Sequence, residues 1–156
     1  MRKARILAVL LALITAVSFC VPAVYAKNAK FKDGTYKISV KLWDWQKDQP
    51  AYSSDSIKST GTLRVKNDKL TLTVYPTIKR VVGVKGSLKE FKVSNGKGGW
   101  INAKVTARYD NGWPAAFTFP LYSSVKMLKI KINPKVAFNG YKDMDARLKI
   151  SYAGVK

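Results

Sequence analysis

The sequence predicts an all-β fold, an immunoglobulin-like antiparallel β-sandwich of seven to nine strands. Three observations support this. Beyond residue 26, short segments alternate apolar and polar residues with a period of two, turn signals recur at intervals of about ten residues, and no segment shows helical periodicity. A chain of 156 residues is long enough to bury the core of one such domain.

The first predicted strand follows a turn signal at residues 32–34. Its apolar residues Tyr36, Ile38, Val40 and Leu42 alternate with polar ones, as in a strand that has one buried and one solvent-exposed face. The alternation ends at Trp43. The polar, serine-rich segment 51–57 that follows is short enough to form a single helical turn.

The middle of the chain contains further strand signals separated by turns. Residues 61–65 and 70–74 predict a hairpin, which ends at Pro76 because proline cannot donate a hydrogen bond to a neighbouring strand. Residues 78–86 predict an irregular edge or a short strand. Alternating apolar residues predict further strands over residues 88–93, 101–107 and 117–121.

The last predicted hairpin is the best-defined feature of the sequence. Leu128, Ile130 and Ile132 alternate with lysines in its first strand, and residues 145–152 repeat the pattern in its second. The connecting loop, residues 133–144, is too long for a tight turn. It places Tyr141 and Met144, two side chains able to bind a metal, at the start of the second strand. We therefore expect any ligand to be held there.

The N-terminus predicts export. Arg2, Lys3 and Arg5 precede an uncharged apolar run, and Val24-Tyr25-Ala26 offers the small residues that a signal peptidase recognises. We expect residues 1–26 to be a cleavable signal peptide and residues 27–156 to form the domain, secreted or at the cell surface. No second apolar run is long enough to span a membrane after the signal is removed.

Composition limits the chemistry. The chain has no histidine, and its single cysteine, Cys20, lies in the predicted signal, so imidazole-based triads, thiolate catalysis and nitrogen–sulfur zinc sites are excluded. We expect a binding protein, not an enzyme.

The formal net charge of +20 favours polyanionic partners such as anionic cell-wall polymers. Nucleic acid is not expected, because export separates the protein from it.

Several segments together resemble the NEAT (near-iron-transporter) domains of Gram-positive surface and secreted proteins. The resemblance rests on Asp33-Gly34-Thr35-Tyr36, on Leu42-Trp43 followed by Lys47-Asp48-Gln49-Pro50, on residues 63–69 and on residues 145–150. It implies an immunoglobulin-like sandwich that takes up haem between the final hairpin and a short helical lip after the first strand. Such domains pass haem between cell-surface carriers, so a haem-donating protein is an implied partner.

The sequence offers two candidate ligands for the haem iron, Tyr141 and Met144. Typical haem-binding members use the first tyrosine of a Tyr-x-x-x-Tyr motif, and a phenolate oxygen suits ferric iron. Tyr141 matches that position, but Asp145 stands where the second tyrosine is expected. Strand parity carried back from Ala146 turns Met144 inward and Tyr141 away, so either residue is a candidate ligand. Either also has an ordinary structural role, Tyr141 in a turn and Met144 in the core.

The resemblance also implies residues that contact the macrocycle. Residues 51–57 are the expected lip, where Tyr52 covers a porphyrin face, Ser53 or Ser54 binds a propionate and Ile57 adds an aliphatic contact. The expected wall is Ile130 and Ile132, with Lys129 or Lys131 near the rim. The alternative function is an extracellular binding module without haem, which recognises a protein or an anionic polymer through its tryptophans and lysines.

Overall fold

The structure, a computed structural model, describes residues 31–81, 83–136 and 140–156. The predicted signal peptide lies outside these residues. None of the described residues belongs to a helix long and apolar enough to cross a membrane.

The described strands are β1 (Gly34–Trp43), β2 (Thr60–Lys66), β3 (Lys69–Val74), β4 (Lys79–Val81), β5 (Val84–Gly86), β6 (Glu90–Ser94), β7 (Trp100–Asn102), β8 (Lys104–Arg108), β9 (Pro114–Leu121), β10 (Met127–Asn133) and β11 (Met144–Ser151).

Nine of these strands form one antiparallel sheet in the order β7-β6-β10-β11-β1-β2-β3-β9-β8. The two outermost strands, β7 and β8, follow each other in the chain, so the sheet curls back on itself into a barrel-like sandwich. Strands β4 and β5 form a separate two-stranded hairpin. The predicted immunoglobulin-like sandwich is confirmed.

The core contains the inward side chains of the alternating strands. Phe91 stacks on Phe117 and Phe119, with ring centres 5.6 and 5.5 Å apart, and so joins β6 to the opposite layer. The inward residues of the closing hairpin, among them Leu128 and Leu148, are completely buried. Burial of apolar surface is the main stabilising contribution here, since the described residues contain no cysteine.

Register places the functional elements at one end of the sandwich. In the closing hairpin Ile132 lies opposite Met144, and on the next strand Trp43 lies opposite Arg147. The end of β1, the end of β10 and the start of β11 therefore lie side by side. We call this the loop end of the sandwich; it carries residues 44–59, the β4–β5 hairpin and the loop that precedes Met144.

The two ends of the described chain meet at the opposite end of the sandwich. The backbone amide of Lys32 donates to the carbonyl oxygen of Lys156 at 2.7 Å. The Tyr36 hydroxyl donates to the carbonyl oxygen of Lys32 at 2.9 Å, which adds a side-chain contact at this closure.

Candidate functional site

The lip at residues 51–57 is a short, anchored segment. The amide of Ala51 donates to the carbonyl of Leu42, and the 3-10 helix Ser54–Ser56 follows. Ile57 is buried and pairs with Pro76, which ties the end of the lip to the opposite layer. Tyr52 is fully exposed, and Ser53 is partly buried with no capping hydrogen bond from its side chain. Backbone bonds at Ala51 and Ile57 therefore hold both ends of the lip, which carries the exposed ring of Tyr52 and the hydroxyl group of Ser53.

The loop before the lip is ordered by its own hydrogen bonds. A side-chain oxygen of Asp44 accepts bonds from the amides of Gln46 and Lys47, both at 2.8 Å, and these bonds hold the pKa of Asp44 below its usual value. The indole N–H of Trp43 donates to Asp48 at 2.9 Å. The loop therefore holds Trp45, which is 38% exposed, in a defined position.

Arg147 joins this loop to the closing hairpin. Its Nε donates to the carbonyl oxygen of Asp44 and its Nη2 to that of Lys47, each at 2.7 Å. The planar guanidinium can make both bonds at once, which the single ammonium of a lysine does less well. Arg147 thus fixes the loop that precedes the lip. The sequence did not indicate this role, because the partners of Arg147 lie about a hundred residues away in the chain.

Asn133 organises the loop that carries Tyr141. Its side chain is 2% exposed, and its amide nitrogen donates to the carbonyl oxygen of Tyr141 at 2.9 Å and to Asp143 at 3.1 Å. Its amide oxygen accepts from the backbone of Lys135 at 2.8 Å. Tyr141 has a φ of 59°, the left-handed conformation common in turns, and its side chain is 60% exposed. A buried amide thus fixes the backbone of an exposed tyrosine.

An ion pair adds to this arrangement. Lys92 Nζ lies 2.7 Å from Asp143 Oδ2. This bond, helped by the one from Asn133, holds the pKa of Asp143 below its usual value and raises that of Lys92. The base of the loop is therefore held by strand β6 as well as by β10.

The structure separates the two candidate iron ligands. Met144 lies opposite Ile132 and packs partly buried against the core, whereas the Tyr141 side chain reaches solvent. The predicted parity, with Met144 inward and Tyr141 outward, agrees with this placement. Ile57, Ile130 and Ile132 are all buried in the core, so a ligand can touch them only if the core opens. The roles of all these residues towards a ligand stay predictions.

Residues 78–86 were predicted to form an irregular edge or a short strand. In the structure they contain the β4–β5 hairpin. Lys79 forms an ion pair with Asp55 of the lip, and the amide of Thr77 donates to the carbonyl of Ser56 at 2.9 Å. Farther on, the amide of Lys89 donates to the carbonyl of Asn133 at 2.8 Å. This segment connects the lip to the base of the closing hairpin, and Val84 on it is 70% exposed.

Charged side chains cover the outward face of the closing hairpin. Lys129 and Lys149 are exposed, and Lys131 pairs with Asp145 at 2.7 Å. The outward face of the hairpin therefore presents mainly cations. At the loop end, the exposed rings of Trp45, Tyr52 and Tyr141 are accompanied by the exposed aliphatic side chains of Ile78 and Val84. Such a surface can pair with the acidic groups of a ligand and stack on its planar part.

Comparison with known proteins identifies the family. No curated protein matches the sequence closely enough to be called a relative. Among solved structures, the NEAT5 domain of IsdX2, a B. anthracis hemophore in complex with haem, is similar with a TM-score of 0.64 and 18% identity, over 80% of this chain and 100% of that one. A mutant of the same domain in complex with haem gives a TM-score of 0.63 at 18% identity, over 80% of this chain and 99% of that one.

At that identity the structural similarity shows a shared fold. The family assignment comes from the sequence, which matches the NEAT family, described as the Iron Transport-associated domain, over residues 29–152. This match spans both the lip and the closing hairpin. The chain therefore belongs to the NEAT family.

Proposed function

We propose that this protein binds haem at the loop end of the sandwich and acts in iron acquisition outside the cell. Membership of a family described by iron transport supports this function, and the similar hemophore domain is described in complex with haem. The predicted signal peptide supports a secreted or surface location. We assign the protein a carrier role, not an enzymatic one.

The observation that carries the proposal is the exposed Tyr141 at the base of the closing hairpin. Its phenol is an oxygen donor of the kind that ferric haem accepts as an axial ligand. Asn133 holds its backbone through a 2.9 Å hydrogen bond, so the phenol is presented from a fixed point. Met144 packs partly buried against the core and Tyr141 is the more exposed donor, so we assign Tyr141 as the iron ligand.

The residues around Tyr141 fit the other parts of haem. The macrocycle is flat and aromatic, and Tyr52 on the lip and Trp45 on the preceding loop expose rings for stacking. The two propionates are anionic, and the hydroxyl of Ser53 and the ammonium of exposed Lys129 are matching partners. Ile57, Ile130 and Ile132 support this surface from within the core.

Hemin titration tests the proposal. The purified protein should give a saturable shift of the Soret band. Tyr141→Phe removes only the oxygen donor and should weaken binding by about tenfold or more. Tyr36→Phe makes the same change at the opposite end of the sandwich and should leave binding unchanged.

Two results would count against specific parts of the proposal. Met144→Leu keeps an apolar side chain of similar volume. If this change abolishes the shifted Soret band while Tyr141→Phe preserves it, the ligand is Met144 and our assignment is wrong. If the unmodified protein gives only the spectrum of free hemin, the haem-binding function itself is wrong.

A further inference from the structure

Every tryptophan in the described residues has a lysine ammonium above its ring. Three of the four pairs lie together, on or beside the outward face of the strands β7-β6-β10-β11-β1. The distances from Nζ to the ring centre are 4.1 Å for Lys149 and Trp43, 5.7 Å for Lys129 and Trp45, and 4.9 Å for Lys131 and Trp100. We call these six residues the tryptophan–lysine face. The fourth pair, Lys89 and Trp113, lies apart from it at the loop end.

Strand register sets these residues in rows. Trp43 lies opposite Arg147, which lies opposite Lys129, so that three neighbouring strands carry an aromatic ring and two cations side by side. In the next row Lys41 lies opposite Lys149. Rings and cations thus lie next to each other on a continuous sheet surface. From β1 to β7 this surface crosses four strand spacings, or about 19 Å.

The charge of this face is strongly positive. Of the carboxylates close to it, Asp145 is paired with Lys131 and Asp143 with Lys92, while Asp48 accepts the indole N–H of Trp43 and Asp44 accepts two backbone amides. Lys41, Lys129 and Lys149 are exposed and, within the described part of the chain, have no carboxylate within salt-bridge distance. Adjacent like charges repel each other unless an anion lies between them.

The other side of the sandwich is different in kind. There Thr118 bonds through its hydroxyl to Thr73 at 2.8 Å and to Thr106 at 2.9 Å, forming a row of hydroxyl groups across three strands. Basic residues occur on that side too, for example Arg64 and Lys66, but no tryptophan accompanies them. Single ring–cation pairs occur elsewhere, Lys58 with Tyr75 at 5.9 Å and Lys89 with Trp113 at 3.2 Å. Within the described residues, three tryptophan–lysine pairs lie together only on this face.

The face is also held rigidly. The indole of Trp43 is fixed by its 2.9 Å hydrogen bond to Asp48, and Arg147 holds the loop that bears Trp45. Trp45 and Trp100 remain 38% and 40% exposed. Side chains that are already ordered lose little conformational entropy when they bind a ligand.

From these observations we propose that the tryptophan–lysine face binds an anionic polysaccharide, a polymer whose repeating units carry both a sugar ring and a carboxylate or phosphate. Indole rings provide flat apolar surfaces on which sugar rings stack, and the neighbouring ammonium groups pair with the anions. The length of the face suits a chain better than a single sugar. The predicted export of the protein favours such a polymer over nucleic acid. This inference does not depend on haem binding. Because Trp45 and Lys129 also belong to the proposed haem surface, the variants that test it change other residues.

Polygalacturonate, whose every unit is a sugar ring with a carboxylate, is a direct probe. We expect tryptophan fluorescence to change on titration and the affinity to fall as salt is added. Lys41→Ala/Lys149→Ala should weaken binding by about tenfold, and Trp100→Ala by a similar factor. The matched control Arg64→Ala/Lys66→Ala removes the same charge from the other side and should change binding by less than about twofold.

Three comparisons decide the interpretation. Fully methyl-esterified polygalacturonate has the rings without the charges, and polyacrylate has the charges without the rings; both should bind much more weakly. If polyacrylate binds as tightly, or if the two double variants lose equal affinity, the face is not a specific site and the proposal is wrong. Equal or tighter binding of oligothymidylate would reassign the face to nucleic acid. Hemin titration of Lys41→Ala/Lys149→Ala should be unchanged, which separates this proposal from the first.

Discussion

The side chain of Asn133 holds together three parts of the loop that presents Tyr141. It bonds to the backbones of Lys135 and Tyr141 and to the carboxylate of Asp143 while 2% exposed. Asn133→Ala leaves the carbonyl of Tyr141 without this donor, so we expect a loss of about 1–3 kcal/mol in the free energy of unfolding. Urea denaturation measures it, with Asn102→Ala at an exposed position of β7 as the control. An unchanged midpoint would show that water replaces the amide at no cost.

The pH dependence of stability follows from Asp143. Lys92 and Asn133 hold the pKa of its carboxyl in the folded protein below the ordinary value of 3.8. A lowered pKa stabilises the fold above the ordinary value, and that stabilisation is lost as the pH falls through the lowered one. Asp143→Asn should therefore melt below the unmodified protein at neutral pH, and the difference should shrink as the pH falls below about 4. A difference that stays constant down to acid pH would contradict this.

At the scale of elements, Arg147 couples the loop before the lip to strand β11. Arg147→Ala removes two hydrogen bonds of 2.7 Å from a charged group, and each such bond contributes about 1.5–3 kcal/mol. We expect faster hydrogen exchange over residues 44–49 and a lower melting temperature. Arg147→Lys should recover only part of the protection, because lysine cannot make both bonds in one plane. Unchanged exchange in both variants would show that the loop is ordered by Asp44 alone.

How well each element could be predicted depended on how local its signal is. The alternation of Tyr36, Ile38 and Val40, and that of the closing hairpin, gave strands at β1, β10 and β11 because a buried face imposes a period of two. Residues 78–86 were predicted as an irregular edge or a short strand and not as the β4–β5 hairpin, because strands of three residues are too short for alternation to show. The parity of Tyr141 and Met144 was predictable from Ala146. The contacts made by Arg147 and Asn133 were not, because they depend on how distant segments meet.

At the scale of the whole molecule, net positive charge acts against the fold. The full chain carries +20, and without Arg2, Lys3 and Arg5 of the predicted signal peptide the domain still carries +17. Within the described residues four salt bridges oppose this repulsion, too few to balance so many cations. Raising sodium chloride from about 0.02 to 0.5 M should therefore raise the melting temperature, because salt screens the repulsion more than it weakens these pairs. Calorimetry measures the change. A falling melting temperature would mean that attractive pairs dominate the surface.

The bond between the amide of Lys32 and the carbonyl of Lys156 has a practical consequence for how this protein can be handled. A tether fused beyond Lys156 leaves the barrel on the side remote from Tyr141 and Tyr52. Molecules anchored to a sensor chip in this way stand with Tyr141, the proposed iron ligand, facing the flowing solution. The same proximity allows a short peptide to join Lys156 to Lys32, so that a circular permutant opened at Gly98 keeps all the strand pairings of β1 and β11.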